Sequence, residues 1–107
     1  MKYLILRTDG SKEILQRSVP LGLQELQTLV GGHIEALRLT QKSTVTLMLH
    51  EERRLMNLPS NPHCPGILGN AVLGKMEGPS FIGLSDGEIA MLNGEWILPM
   101  RGEIPDA

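Results

Sequence analysis

The stretch LQELQTLVGGHIEAL, residues 23 to 37, constrains the fold of this chain more than any other. Leu23, Leu26, Leu29 and Val30 recur at the three- and four-residue spacing of one helix face, with Gln24, Glu25, Gln27 and Thr28 on the others. A helix here buries one stripe. Pro20 and Gly22 stand at its entrance, and Gly31 or Gly32 supplies the positive φ that caps its last carbonyls. His33 to Leu39 then reads as strand, so helix and strand are joined by two glycines and must pack close together. The pair is first a cap and close-packing point; it also offers room for a ligand or partner.

The flanking segments supply the rest of a sheet. Lys2 to Arg7 carries apolar residues on both faces, and Asp9-Gly10 is a tight-turn signal before Lys12 to Arg17, which predicts a hairpin. In Thr44 to His50, Val45, Leu47 and Leu49 alternate with Thr44, Thr46, Met48 and His50, the pattern of a half-buried strand. Ala71 to Leu73 reads as a short apolar strand or core plug. From Pro79 onward a meander is expected: Ser80 to Leu84, Glu88 to Leu92 and Glu95 to Leu98, joined by turns at Asp86-Gly87 and Asn93-Gly94. The expected fold class is therefore α+β, a mostly antiparallel sheet with one short amphipathic helix packed on it and a Pro-rich irregular loop. Residues 1–99 form a single domain in this reading, and 100–107 a loose tail.

That loop is EERRLMNLPSNPHCPGILG, residues 51 to 69, where Pro59, Pro62, Pro65 and Gly66 forbid a long helix or central strand. Asn61 before Pro62 predicts an N-cap with proline at the first helical position. A stiff loop on a rigid scaffold also presents binding groups, which brings in Asn61, Arg53 and Arg54.

Familiar catalytic patterns are begun here and left incomplete. His-Glu-Glu-Arg-Arg opens at His50 like a helical zinc site, but Arg54 stands where the second histidine would be needed. His63 and Cys64 are sequence neighbours whose side chains diverge, so the imidazole is poorly placed to deprotonate the thiol, and a buried inert Cys64 is expected. Gly69 to Lys75 fits the frame GxxxxGK, yet Met76 replaces the magnesium-binding Ser or Thr and Glu77-Gly78-Pro79 stops any helix. No catalytic residue, metal ligand or cofactor is assigned from these motifs.

Ten Lys and Arg against twelve Asp and Glu leave a net charge of −2, and the aromatics are Tyr3, Phe81 and Trp96 alone. Neither the field nor the stacking surface for nucleic acid is there. Residues 55 to 107 hold two basic and six acidic groups, so the second half is solvated or faces a basic partner. A lone Cys64 allows no intramolecular disulfide and fits a reducing cytoplasm. The first apolar run, Tyr3 to Leu6, is far shorter than a signal-peptide core, and no run approaches the roughly twenty residues of a membrane span.

With LVGGHIE at 29 to 35, LPSNP at 58 to 62, Leu68-Gly69, and Gly78-Pro79 ahead of an apolar strand, the chain resembles a known family. It is similar, over roughly residues 1 to 98, to the small phage, plasmid and bacterial proteins grouped as domain of unknown function 3846. The resemblance implies a small cytoplasmic α+β protein of mobile elements, with no established reaction. It marks Gly31, Gly32, Ile34, Glu35, Leu58, Pro59, Asn61 and Pro62 as motif positions. Where many members continue as helix after the Asn-Pro, this chain has Cys64-Pro65-Gly66.

Glu35 is the one ionisable member of the first motif with a carboxylate, and in a strand it shares a face with His33 and Leu37. It accepts hydrogen bonds from the backbone or from Arg53, holding the loop to the sheet, or does acid–base work with His33, or contacts a ligand. The candidate ligand-binding residues are thus Gly31, Gly32, His33, Glu35, Arg53, Arg54, Pro59, Asn61 and His63. The functional expectation is a non-enzymatic binding module, a phage accessory protein with an anti-defence role that sequesters a small nucleotide signal or binds a host protein. Its exposed strand edges are expected to pair into a homo-oligomer, a dimer or larger. The alternative is a small acid–base hydrolase using Glu35 and His33 near Asn61.

Overall fold

Apolar side chains on both faces of Tyr3 to Leu6 require an interior strand, and the sheet puts it there. The computed structural model describes residues 1–39 and 44–93 of the chain. In chain order the elements are β1 (Lys2–Leu6), β2 (Lys12–Gln16), α1 (Leu23–Val30), β3 (Ile34–Arg38), β4 (Val45–His50), β5 (Ala71–Glu77), β6 (Ser80–Ile82) and α2 (Asp86–Asn93). The strands form one sheet in the order β2-β1-β5-β4-β3, with β6 paired to β5 off that path, and every pairing is antiparallel. The fold is α+β.

The sheet is covered on both faces. One core cluster holds Leu4, Leu6, Leu47, Leu49 and Leu73 beneath Cys64 and Ile67 of the loop and Ile89 of α2. The other packs Tyr3, Ile5, Met48 and Val72 under Leu26 and Val30 of α1. β4 therefore departs from the half-buried pattern: all six of its residues are buried. Thr46, Met48 and His50 share the face that α1 and Phe81 of β6 cover, a face that alternation alone would leave wet.

β5 also exceeds the short strand expected at Ala71 to Leu73, because Gly74 is a packing device within the strand. A Cβ there would lie 2.6 Å from Cζ of Phe81, so the missing side chain makes room for that ring. Gly74-Lys75 lies in a strand, outside any phosphate loop. Phe81 in turn stacks obliquely on Tyr3 at 5.3 Å between centroids, and the Tyr3 hydroxyl donates to Phe81 O at 2.8 Å and accepts from Leu21 N at 3.1 Å.

The segment expected as strand from Glu88 to Leu92, with a hairpin turn at Asp86-Gly87, is instead the helix α2. Ser85 and Glu88 form a reciprocal cap: Glu88 N–H donates to Ser85 Oγ at 3.1 Å, and Ser85 N–H donates to Glu88 Oε1 at 2.8 Å. Two lysines then fasten the first turn to the sheet, Lys2 to Asp86 at 2.8 Å and Lys75 to Glu88 at 3.0 Å. The strand expected at Glu95 to Leu98, and the tail, lie outside the described residues.

The Ser85 amide, and beside it Lys75, hold the Glu88 carboxyl below its ordinary value of 4.5. A folded-state pKa lowered in this way gives stability that is present above the ordinary value and lost as pH falls through the folded one. Thermal melts from pH 7 to 3 should show wild type a few degrees above Glu88→Gln at neutral pH and level with it at the acid end. A constant gap would mean that the carboxylate charge contributes nothing.

Candidate functional site

α1 ends as its sequence requires, with the two glycines doing different work. Gly31 takes a left-handed φ of 90° and its N–H reaches Gln27 O at 2.8 Å. Gly32 has no such angle; a Cβ on it would lie 2.4 Å from Nε2 of His50, the last residue of β4. The pair is thus one cap and one point of close approach. His50 is 4% exposed, and its Nδ1 accepts the Glu52 N–H at 3.0 Å, which leaves the ring proton of the neutral imidazole on Nε2.

From His50 the chain makes a tight turn through residues 51–57. Its end is a Schellman arrangement: Leu58 N–H donates to Arg53 O at 3.0 Å and Asn57 N–H to Arg54 O at 3.1 Å, with Asn57 left-handed at φ 51°. Arg53 is 2% exposed, and its Nη1 donates to Glu35 Oε1 at 2.7 Å and to His50 O at 2.9 Å. Glu51 N–H adds a bond to His33 O at 2.8 Å. The start of the loop is therefore bound to the start of β3 by the Glu35–Arg53 pair that the sequence suggested.

Glu35, with a side chain 46% exposed, stands at the rim of an open cleft of about 420 Å³ lined also by Glu51, Glu52, Arg53, Arg54 and Leu55. Leu55 and Met56, on the outside of the turn, are 85% and 56% exposed. No periodicity or motif in the sequence singles out these two. The signal was an apolar pair between a charged run and a proline, in a segment too irregular to turn it into a core.

The remaining candidates lie elsewhere. Asn61 is buried at the end of β1, where its Nδ2 donates to Leu6 O at 3.0 Å and Gly69 O at 2.9 Å, while its Oδ1 accepts the His63 N–H at 2.9 Å. The cap bond is present but the helix is not, because Pro65 lacks an N–H and Gly66 turns to φ 87°. Pro59 is exposed and accepts from Gly69 N–H at 2.8 Å, closing the loop. The His63 ring lies against Gly10 O at 2.9 Å, at the β1–β2 turn.

Leu6 pairs with Ala71, and one step past the Met48–Val72 pair Ala71 comes level with Leu49, the partner of Glu35. Three strand spacings, roughly 14 Å, thus separate the Leu6 backbone held by Asn61 from Glu35. His33 precedes β3 and its ring stands 3.5 Å from Gln27 of α1. Glu35 meets Arg53, His33 meets Gln27, and Asn61 braces a distant loop, so the three hydrolase candidates share no centre.

With Glu35 only half-exposed, the charge it supplies to Arg53 is partly screened, and Glu35→Gln should lower the melting temperature by several degrees, about 1 kcal/mol. A substitution without effect on the melt would deny the ion pair a bracing role. Cys64 is fully buried and burial pushes its thiol up to about 12. The native protein should leave a disulfide reagent such as dithionitrobenzoate unreacted at pH 8 and release one equivalent on unfolding in guanidinium; rapid reaction of the native form would mean an open site. Among the described residues no group of three or more His, Cys, Asp and Glu is placed to hold a metal ion, and no helix is long and apolar enough to cross a membrane.

The family model described as Domain of unknown function (DUF3846) matches residues 1–96. The chain belongs to this family. The match runs from β1 past α2, so both motif regions of the DUF3846 chain fall inside it: the Gly31-Gly32 junction with Glu35, and the Leu58 to Pro62 loop held by Asn61. Searches of the curated proteins and of the solved structures give no match.

Proposed function

We propose that this DUF3846 protein is a non-enzymatic binding module that recognises a protein partner through the turn carrying Leu55 and Met56. The observation that carries this is the contrast within that turn. Arg53 is buried and fixed to Glu35 and His50 O, whereas Leu55 and Met56, two and three residues on, are held in solvent at 85% and 56% exposure. Apolar side chains on a braced turn lose little conformational freedom on docking, which favours affinity. The cleft beside them, with three carboxylates, two guanidiniums and Leu55, suits a polar rim around that contact.

A nucleotide ligand is less well supported. Arg53 is committed to Glu35, Lys75 is paired with Glu88, and Tyr3 and Phe81 are buried against each other rather than offered to a base. A small module that holds a host protein is also what an accessory protein of a phage or plasmid needs in order to neutralise a host process, and the anti-defence role is part of this reading. Its place of action is then the host cytoplasm.

A photocrosslinking amino acid at Leu55, introduced in cells of the natural host, should give one discrete adduct that is missing when it replaces Val19, which is 64% exposed elsewhere on the surface. Leu55→Glu with Met56→Glu should remove capture of the cross-linked protein while leaving the melting temperature unchanged. The same diffuse adducts from both positions would defeat the reading. Heat on calorimetric titration with any of a panel of cyclic nucleotides would replace it with the small-molecule one.

A further inference from the structure

We infer that the protein partner of the turn at residues 51–57 presents an apolar hollow rimmed by Lys or Arg. Leu55 and Met56 fill the hollow, and the Glu51 and Glu52 carboxylates meet the cations. The inference rests on the partner reading and adds the partner's chemistry to it.

The shape comes from the backbone. Met56 N–H donates to Glu52 O at 2.9 Å and Leu58 N–H to Arg53 O at 3.0 Å, so the chain closes on itself and projects a knob. In an α-type turn, residues three and four apart share a side, which sets Glu51 and Glu52 beside Leu55; all three line the same cleft. The surface that matches Leu55 and Met56, 85% and 56% exposed, is therefore concave and apolar, and a filled pocket of this kind is where interface affinity concentrates.

The rim's charge follows from which groups of the cleft the fold leaves unanswered. Arg53 is bound to Glu35 at 2.7 Å, and Arg54 also has a partner. Glu51 and Glu52 lend the fold only their backbone N–H groups, to His33 O at 2.8 Å and to His50 Nδ1 at 3.0 Å. Both are exposed, and among the described residues neither carboxylate has an ion pair or hydrogen bond. A hollow with an acidic rim would bring like charges together as Leu55 enters it, whereas a basic rim is drawn in from a distance and pairs on docking.

The same carboxylates favour a protein over a lipid surface. Apolar residues at the tip of a turn can also dip into a bilayer, but segments that do so carry Lys or Arg to meet anionic headgroups. Here the arginines are engaged and the carboxylates are the groups left to face the headgroups.

The test reads the photocrosslink from Leu55 in the full chain while the charges beside it are changed. Glu51→Lys with Glu52→Lys should cut the yield of the discrete adduct roughly tenfold or more, since each cation would then face a cation. Glu51→Gln with Glu52→Gln keeps the shape and the melting temperature, and should cut the yield roughly threefold at low salt and not at all at high salt, where the charges are screened in any case. Peptide mapping of the adduct should find Lys or Arg beside the apolar residues joined to Leu55. Equal yields from wild type and both double variants overturn the basic rim and leave the partner reading standing, whereas a wild type with no discrete adduct removes both. Co-sedimentation of the full chain with vesicles of equimolar phosphatidylglycerol and phosphatidylcholine, lost in Leu55→Glu with Met56→Glu, overturns the inference in favour of a membrane.

Discussion

Gly32→Ala should lower the melting temperature by roughly 10–15 °C, corresponding to about 3 kcal/mol. The new methyl would lie 2.4 Å from Nε2 of His50, and the ring has little room to give way because its Nδ1 holds the Glu52 N–H at 3.0 Å. Either the helix α1 lifts from β4 or the ring leaves and strands a donor at the start of the turn. Two controls separate this from a general intolerance of side chains at the junction. Gly31→Ala meets nothing nearer than His50 Cδ2 at 4.0 Å and should cost only the left-handed φ of 90°, about 1 kcal/mol. In a His50→Ala background the added cost of Gly32→Ala should fall to a fraction of its value in wild type, a coupling measurable by a double-mutant cycle. Additive costs would show that the ring and Gly32 do not contact each other.

Asn61→Ala should be of similar size or larger, about 3–4 kcal/mol and a melting temperature lower by roughly 15 °C. One buried amide donates to the carbonyls of Leu6 and Gly69 and accepts from the His63 N–H, so truncation leaves three backbone groups without that partner in a place water reaches poorly. Asn61→Asp should be worse at neutral pH, since a carboxylate would face two carbonyl oxygens with nothing to donate. It should recover part of the loss in acid, where the protonated group donates once more. Thermal melts of both variants at pH 4 and 7 decide it, and an Asn61→Asp protein that is as stable as wild type at pH 7 would show that the amide hydrogens are not engaged.

Gly32 and Asn61 both stand among the candidate ligand-binding residues of the sequence, and the structure explains why. A glycine pair after a helix and an asparagine among prolines are what a close approach and a loop brace require, and the same residue types serve binding sites. For Glu35 the sequence leaves bracing the loop, acid–base work and ligand contact open; its 2.7 Å contact with Arg53 supplies the brace. What no local pattern could supply was the separation into two places, since Glu35 and Asn61 stand on opposite sides of two intervening strands.

By itself the sequence determined α1 with its glycine stop, the Asp9-Gly10 hairpin and the interior character of β1, because side-chain period and turn residues are properties of a few neighbouring positions. Only the tertiary structure decided that the second face of β4 is dry, since burial of Met48 and His50 depends on where α1 and its glycine stop land. It also decided α2. Ser85-Asp86-Gly87-Glu88 suits a tight turn and a helix cap equally well as a string, and contacts with Lys2 and Lys75, distant in the chain, favour the helix. The exposed Leu55 and Met56 follow the same logic: the sequence offers Arg53 as one of several partners for Glu35, and only the fold brings the two within 2.7 Å and so braces the turn that carries them.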